Sequence, residues 1–451
     1  MSSSTPLLRQ ALAAPILWLV SSVACRDAGP PQAVEVLVAD GDGQVALVGH
    51  ALPGPIVVQV VDAAGEPAPG VTVVWHADDG TLSPDHSVTD AEGRARTTWT
   101  LGSTHGSVTA TAATSGAAPA VFTAVAKAPE ALPFDQIRPL SIPTYDGSGQ
   151  VVHPDYAESA EGPGAEHHLA ITPYPFGNAH WENPSLFEGD VLDHWSLAEG
   201  APNPVVLPPA GYLSDPDLVY LAEAHELWLY YRQVTADNIV QLVRSTDGVH
   251  WNAPAELVRV PNHGLISPAV VRRGAEDWWM WSVNAGTAGC GAAATSVELR
   301  RSTDGIHWAA PGTVDLVQPG YSAWHIDVQW IPARDEFWAV YNGKTSGSCT
   351  TPAVFLATSP DGVSWHAMDQ PVIAKGRVPQ FADIVYRTTF AYDPLTDAIT
   401  FWYSGARYDG RQYVWSAAVE RRRRSDVFAP SARAVTSTPF APAPAPLVDW
   451  P

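Results

Sequence analysis

Ser245-Thr246-Asp247-Gly248-Val249-His250-Trp251 recurs as Ser302-Thr303-Asp304-Gly305-Ile306-His307-Trp308 and again as Ser359-Pro360-Asp361-Gly362-Val363-Ser364-Trp365. The aspartates of successive copies are 57 residues apart, and Trp195 stands 56 residues before Trp251, ending a degenerate copy that begins at Gly189. A repeat of this length is one supersecondary unit that cannot bury its own apolar face and must stack on its neighbours. Between the turns each copy holds a polar entry, an apolar strand and then an aromatic-dense strand: Leu227-Trp228-Leu229-Tyr230-Tyr231, Trp278-Trp279-Met280-Trp281, Phe337-Trp338-Ala339-Val340-Tyr341 and Thr400-Phe401-Trp402-Tyr403. That grammar predicts an all-β fold containing a five-bladed β-propeller, with blades near 152–200, 212–256, 264–310, 322–367 and 381–420. Residues 134–150 are expected to add an edge strand that closes the ring, because a cyclic sheet must protect its last edge. The Asp-Gly turns read as structural, each carboxylate capping its own turn amides.

Upstream, residues 33–127 carry short alternating strands such as Ile56-Val57-Val58-Gln59-Val60-Val61 and Val71-Thr72-Val73-Val74-Trp75, separated by turn signals. This pattern predicts a β-sandwich. Gly41-Asp42-Gly43-Gln44, Val61-Asp62-Ala63-Ala64-Gly65-Glu66-Pro67 and Thr89-Asp90-Ala91-Glu92-Gly93 together resemble bacterial immunoglobulin-like domains of the invasin/intimin (Big-1) type, which implies a spacer and no chemistry. A linker at 128–133 separates this module from the propeller unit at 134–424, and 425–451 form a Pro/Ala-rich tail.

Residues 1–25 read as an export signal, with Arg9, an apolar run too short to span a bilayer, and small residues before Cys25. The segment resembles a bacterial lipoprotein signal, although Ser22 stands where that family usually has Leu. The resemblance implies lipidation of Cys25 and attachment to the outer membrane or cell surface; an ordinary cleaved signal is the alternative. In an oxidising compartment Cys290 and Cys349, in similarly placed Gly/Ser/Thr-rich loops of adjacent repeats, are expected to form a disulfide.

With 25 Lys+Arg against 47 Asp+Glu the net charge is −22, and the one cationic run, Arg421-Arg422-Arg423-Arg424, adjoins the tail. That excludes a nucleic-acid partner, since phosphate recognition needs a basic surface. No short metal-ligand spacing occurs, so no metal and no cofactor are predicted, although channel oxygens could take a structural Ca²⁺. The chain is expected to be monomeric.

Aligning the blade entries gives His153-Pro154-Asp155, Asp215-Pro216-Asp217, Ser267-Pro268-Ala269 and His325-Ile326-Asp327. Innermost propeller strands converge, so these residues are expected to share one acidic pocket where carboxylates raise one another's pKa, as acid/base hydrolysis requires. Asp215-Pro216-Asp217-Leu218-Val219-Tyr220 with its aromatic strand, Glu182-Asn183-Pro184-Ser185 and Trp324-His325-Ile326-Asp327-Val328 resemble the five-bladed propeller glycoside hydrolases of families 32, 43, 62, 68 and 117. The resemblance implies Asp155 as general base and Asp217 or Asp215 as the aspartate that tunes pKa and positions substrate. The acid is then His325 steadied by Asp327, as in family 117, or Glu182. Blade three departs from the pattern, since Ser267-Pro268-Ala269 offers no carboxylate. His153, Tyr231, Arg232, Trp324 and His180 are the expected substrate contacts, and the ligand is a carbohydrate. Two functions follow as expectations: a glycoside hydrolase-like enzyme, or a carbohydrate-binding adhesion protein that has lost its acid.

Overall fold

The computed structural model describes residues 35–159 and 166–429. The expected signal with Cys25, and the tail beyond 429, lie outside the described residues. The chain divides into two compact units at Pro129/Glu130.

The N-terminal unit is a sandwich. One sheet orders Glu35–Asp40, Ile56–Val61, Arg94–Thr100 and Thr81–Ser83; the other orders Gln44–Leu47, Ala120–Lys127, Gly106–Ala113, Thr72–Ala77 and His86–Val88. Along Arg94–Thr100 burial alternates residue by residue, so Ala95, Thr97 and Trp99, with Val58 of the neighbouring strand, face the other sheet, where Val73, Trp75 and Phe122 complete the core. Period-two alternation of this kind is what a sheet with one wet face produces.

The second unit is a ring of five antiparallel sheets, counted among the described residues. The innermost strands are Val151–Glu158, Tyr212–Leu221, Ile266–Gly274, Ser322–Ile331 and Ile384–Asp393. In blade five the outermost strand is Ile137–Pro139, from the start of the unit, paired antiparallel with Tyr413–Arg423 near its end. That pairing joins the two ends of the unit and removes a free sheet edge.

The repeated turns work as the sequence implies. Asp247 Oδ1 accepts from the amides of Val249 and His250 at 2.9 and 2.7 Å, and Asp361 Oδ1 repeats this with Val363 and Ser364. The aromatic strands use these turns to tie blades together. Tyr230 Oη donates to the Gly305 carbonyl of the next blade at 3.0 Å, Trp281 Nε1 to Gly362 at 2.9 Å, and Trp402 Nε1 crosses from blade five to Leu192 in the degenerate turn of blade one at 2.9 Å. The turn glycine is required twice over: Gly362 has φ +70°, and a Cβ there would lie 2.8 Å from the rings of both Trp279 and Trp281. Gly362→Ala should therefore cost roughly 2–4 kcal/mol, from left-handed backbone strain and overpacking. Denaturant unfolding of the variant against the parent measures this.

Candidate active site

Each innermost strand slips register against its neighbour at the same place, near the channel entry. In blades one to three the slip falls on His153-Pro154, Asp215-Pro216 and Ser267-Pro268; in blades four and five it falls on Trp324-His325 and Tyr386-Arg387. A bulge re-aims the side chains it carries. His153, Asp215 and Ser267 also hold φ of +55, +49 and +51°. Such a backbone costs a non-glycine residue on the order of 1 kcal/mol, and strain of this kind gathers where geometry serves function.

The re-aimed residues form two buried groups. In the first, a ligand atom from each of His153, Asp215 and His325 lies within 4.8 Å of the others. Asp215 has no exposed surface. Arg232 Nε meets its Oδ2 at 2.9 Å, and Ser214 Oγ donates to the same oxygen at 2.9 Å. Burial by itself would raise the Asp215 pKa, but the charge of Arg232 and the neighbouring His153 and His325 overcome it and hold the carboxyl well below the usual range. Ser267 Oγ donates to Asp215 Oδ1 at 2.9 Å and stands 2.6 Å from His325 Nδ1, which is itself 3.0 Å from Asp215 Oδ1. An ionised carboxylate only accepts, and the serine has spent its one proton on it, so His325 Nδ1 must carry the hydrogen. The lone pair is then on Nε2. Burial lowers the pKa of His325, and lowers that of His153 further, so both imidazoles are neutral.

Among the described residues neither His153 Nε2 nor His325 Nε2 has a hydrogen-bond partner, although both are sealed from solvent. His153 Nε2 lies 3.7 Å from Asp215 Oδ1. Two buried imidazole nitrogens left unsatisfied beside a buried anion are the donor set a divalent cation takes. The residues present therefore fit a metal ion. The short-range spacing test missed this because the three ligands come from three blades. Glu182, on the loop before the third strand of blade one, brings Oε2 to 3.7 Å from His153 Nδ1. Burial and the negative charge of Asp215 raise its pKa well above the ordinary value.

The second group is Asp155, Asp217 and Asp327, with ligand atoms also within 4.8 Å of one another. The three meet as the blade alignment expected, and they are engaged in holding the ring. Asp155 Oδ2 accepts from the Leu218 amide of the next blade at 2.7 Å, Asp217 Oδ2 from Val270 of the next at 3.1 Å, and Asp327 faces the amide of Phe390 in blade five. Arg387, fully buried, sits 3.3 Å from Asp155 and 3.9 Å from Asp217. Burial first, and the neighbouring carboxylates second, push Asp155 and Asp217 well above their usual pKa.

The expected substrate contacts divide. His153 and Asp215 are in the first group. Arg232 is not free for a ligand; it is spent on Asp215 and Ser214. Tyr231 is a correction: it is 1% exposed and packs with Leu213, Leu218 and Leu229, because strand alternation turns it away from the side on which Arg232 points inward. Trp324 is buried and donates Nε1 to Tyr386 Oη at 3.2 Å. His180 is exposed beside Trp181. Tyr386 escaped the sequence reading, as did Arg387, because the entries were aligned over four blades only. The Tyr386 ring lies 4.4 Å from that of His325 and 5.4 Å from that of His153. Cys290 and Cys349 are bonded, with Cα atoms 4.8 Å apart. A cleft of about 740 Å³ at Arg138, Asp193, His194 and Trp195 contains no member of either group.

Residues 55–125 match the family model described as bacterial Ig-like domain (group 1). The N-terminal unit carries that domain. A type blood N-acetyl-alpha-D-galactosamine deacetylase of Flavonifractor plautii is 28% identical over 335 residues, covering 64% of this chain and 42% of that protein. The chain thus spans less than half of that relative's length. The crystal structure of an N-acetylgalactosamine deacetylase from F. plautii, in complex with blood group B trisaccharide, superposes with a TM-score of 0.61 at 23% identity, over 65% of this chain and 96% of that one. A GH62 hydrolase in complex with xylotriose gives a TM-score of 0.46 at 13% identity, over 62% and 94% of the two chains. The fold is accordingly an Ig-like domain followed by a five-bladed propeller.

Because the folded pKa of Glu182 lies above its unfolded value, its contribution to stability is full below the ordinary glutamate range and is lost as pH rises toward the folded value. Glu182→Gln should be more stable than the parent at neutral pH, and the difference should vanish near pH of about 4. Urea unfolding across that range checks the sign.

Proposed function

We propose that the propeller is a carbohydrate-active hydrolase that removes the acetyl group from an N-acetylated sugar, assisted by a divalent cation held by His153, Asp215 and His325. The observation that carries the reading is the pair of buried, unpartnered imidazole Nε2 atoms beside an ionised aspartate. The deacetylase activity in the name of the F. plautii relative supports it. When bound, such a cation supplies Lewis acidity toward the acetamide carbonyl and acidifies a bound water.

The chain's own residues do the rest. Arg232 and Ser214 keep Asp215 ionised and oriented, and Ser267 holds His325 with its lone pair outward. Glu182, whose pKa is pushed up by burial and by Asp215, acts as the acid that delivers a proton to the departing amine nitrogen, which would otherwise leave as an unstable anion. Tyr386, whose oxygen accepts from Trp324, still has its own O–H to donate to the acetamide oxygen as negative charge develops there. The deep burial of the group excludes water and strengthens each of these interactions. Asp155, Asp217 and Asp327 are assigned to holding the ring. We further propose, from the signal-like sequence of residues 1–25, that the enzyme works outside the cytosol, lipid-anchored through Cys25, with the Ig-like domain as spacer.

Glycosidic cleavage is the second reading, favoured by one observation: Glu182 is pushed up while Asp215 is pushed down, the split an acid/base pair needs. Against it, Asp215 is held well below the usual carboxylate range by Arg232 and the two histidines, which makes it a poor base toward a water.

Incubating the purified full chain with an oligosaccharide ending in N-acetylgalactosamine should release acetate and leave the glycosidic bonds intact, with activity lost on chelation and restored by divalent metal. His325→Ala and Glu182→Gln should each lower kcat by about 10²–10⁴-fold. New reducing ends without acetate would establish the glycosidase instead; retention of the sugar with neither product would establish a binding protein.

A further inference from the structure

Gly286–Gly291 leaves the second strand of blade three at Asn284, on the side where Ile266 pairs with Val283 and Ser267 contacts Asp215 and His325. Much is invested in holding this short irregular segment. Cys290 is bonded to Cys349 of blade four. Lys344, a fully buried lysine of blade four, donates Nζ to the carbonyls of Cys290 and Ala292 at 3.0 and 2.6 Å. Burying an ammonium that has no carboxylate partner among the described residues is costly, and here it holds the carbonyls of the loop.

What lies beneath the segment is His263. A Cβ on Gly289 would fall 2.9–3.0 Å from three atoms of its imidazole, so the ring rests against the glycine backbone. His263 itself has φ +62°; its carbonyl accepts from Ala285 N at 2.9 Å, and its amide donates to Asn262 Oδ1 at 2.9 Å, where Asn238 Nδ2 also donates at 3.0 Å. The backbone is held by two hydrogen bonds, yet the ring is half-buried and neither ring nitrogen has a partner among the described residues. It stands four residues before Ser267 and near enough to Arg232 that, after burial, the guanidinium charge further depresses its pKa.

We infer that His263 is a sugar-contacting side chain at the mouth of the channel, and that Gly286–Gly291, strapped to blade four by the disulfide and by Lys344, holds its ring in place to hydrogen-bond a hydroxyl or acetamide of the ligand. The inference rests on the carbohydrate reading above and adds to it a recognition group and the device that positions it. A hydrogen bond held this way is lost when the ring goes, and also when the ring is left but freed.

Titration calorimetry of N-acetylgalactosamine into the full chain, in a Glu182→Gln background so that the sugar is not consumed, tests it. His263→Ala should weaken binding roughly threefold to tenfold, the loss of one hydrogen bond. Gly289→Ala, which keeps the disulfide and displaces the ring, should do the same. So should the double variant Cys290→Ala/Cys349→Ala, and combining either with His263→Ala should add nothing further, as for coupled residues. Unchanged affinity in His263→Ala overturns the contact. Weakening by His263→Ala alone, with Gly289→Ala and the cysteine pair at parental affinity, overturns the strap. Absence of sugar binding in the parent overturns both this and the carbohydrate reading, whereas normal binding without acetate release sinks only the deacetylation.

Discussion

Five strands enter one axis, and the charges they carry are buried together where water cannot screen them. Everything at the centre of the propeller answers to that constraint. Asp155, Asp215, Asp217, Asp327 and Glu182 are all nearly or fully buried, and only Arg232 and Arg387 accompany them as permanent cations. An unpaired buried carboxylate is untenable, so each must find a guanidinium, accept hydrogen bonds or keep its proton. Asp215 takes the first course with Arg232; Asp155 and Asp217 accept backbone amides and lean on Arg387; Glu182 has its pKa pushed up.

The same arrangement joins the mechanics of the ring to its chemistry. Asp155 and Asp217 bind the amide of the following blade, so the second group fastens adjacent innermost strands. Tyr230, Trp281 and Trp402 fasten the outer turns in the same direction around the ring, the last of them across the closure between blades five and one. A ring held at both levels keeps its entry strands in place. That rigidity is what lets left-handed backbone persist at His153, Asp215 and Ser267, since strain survives only where its surroundings over-determine it.

Much of the site was legible. The entries His153, Asp215 and His325 could be aligned because Pro154, Pro216 and the repeated spacing mark equivalent points, and Glu182 stood out as an acidic residue before a strand. The division of labour was not legible. Asp155 and Asp217 look like catalytic carboxylates in the sequence, yet one oxygen of each accepts from an amide of the next blade, 63 and 53 residues away. Tyr231 and Arg232 are adjacent and equally eligible on paper, and strand alternation sends one to the core and the other to Asp215.

By itself the sequence determined the repeat, the blade count, the sandwich ahead of it and the set of polar residues that open each blade, because period, alternation and turn chemistry are local properties. Only the tertiary structure decided which nitrogen of His325 carries the hydrogen, that His153, Asp215 and His325 converge as one donor set, and that Arg387 rather than solvent faces Asp155 and Asp217. Those outcomes depend on distances between residues of different blades, and on burial, which sets how strongly each charge feels the next. Neither quantity exists until the ring is closed.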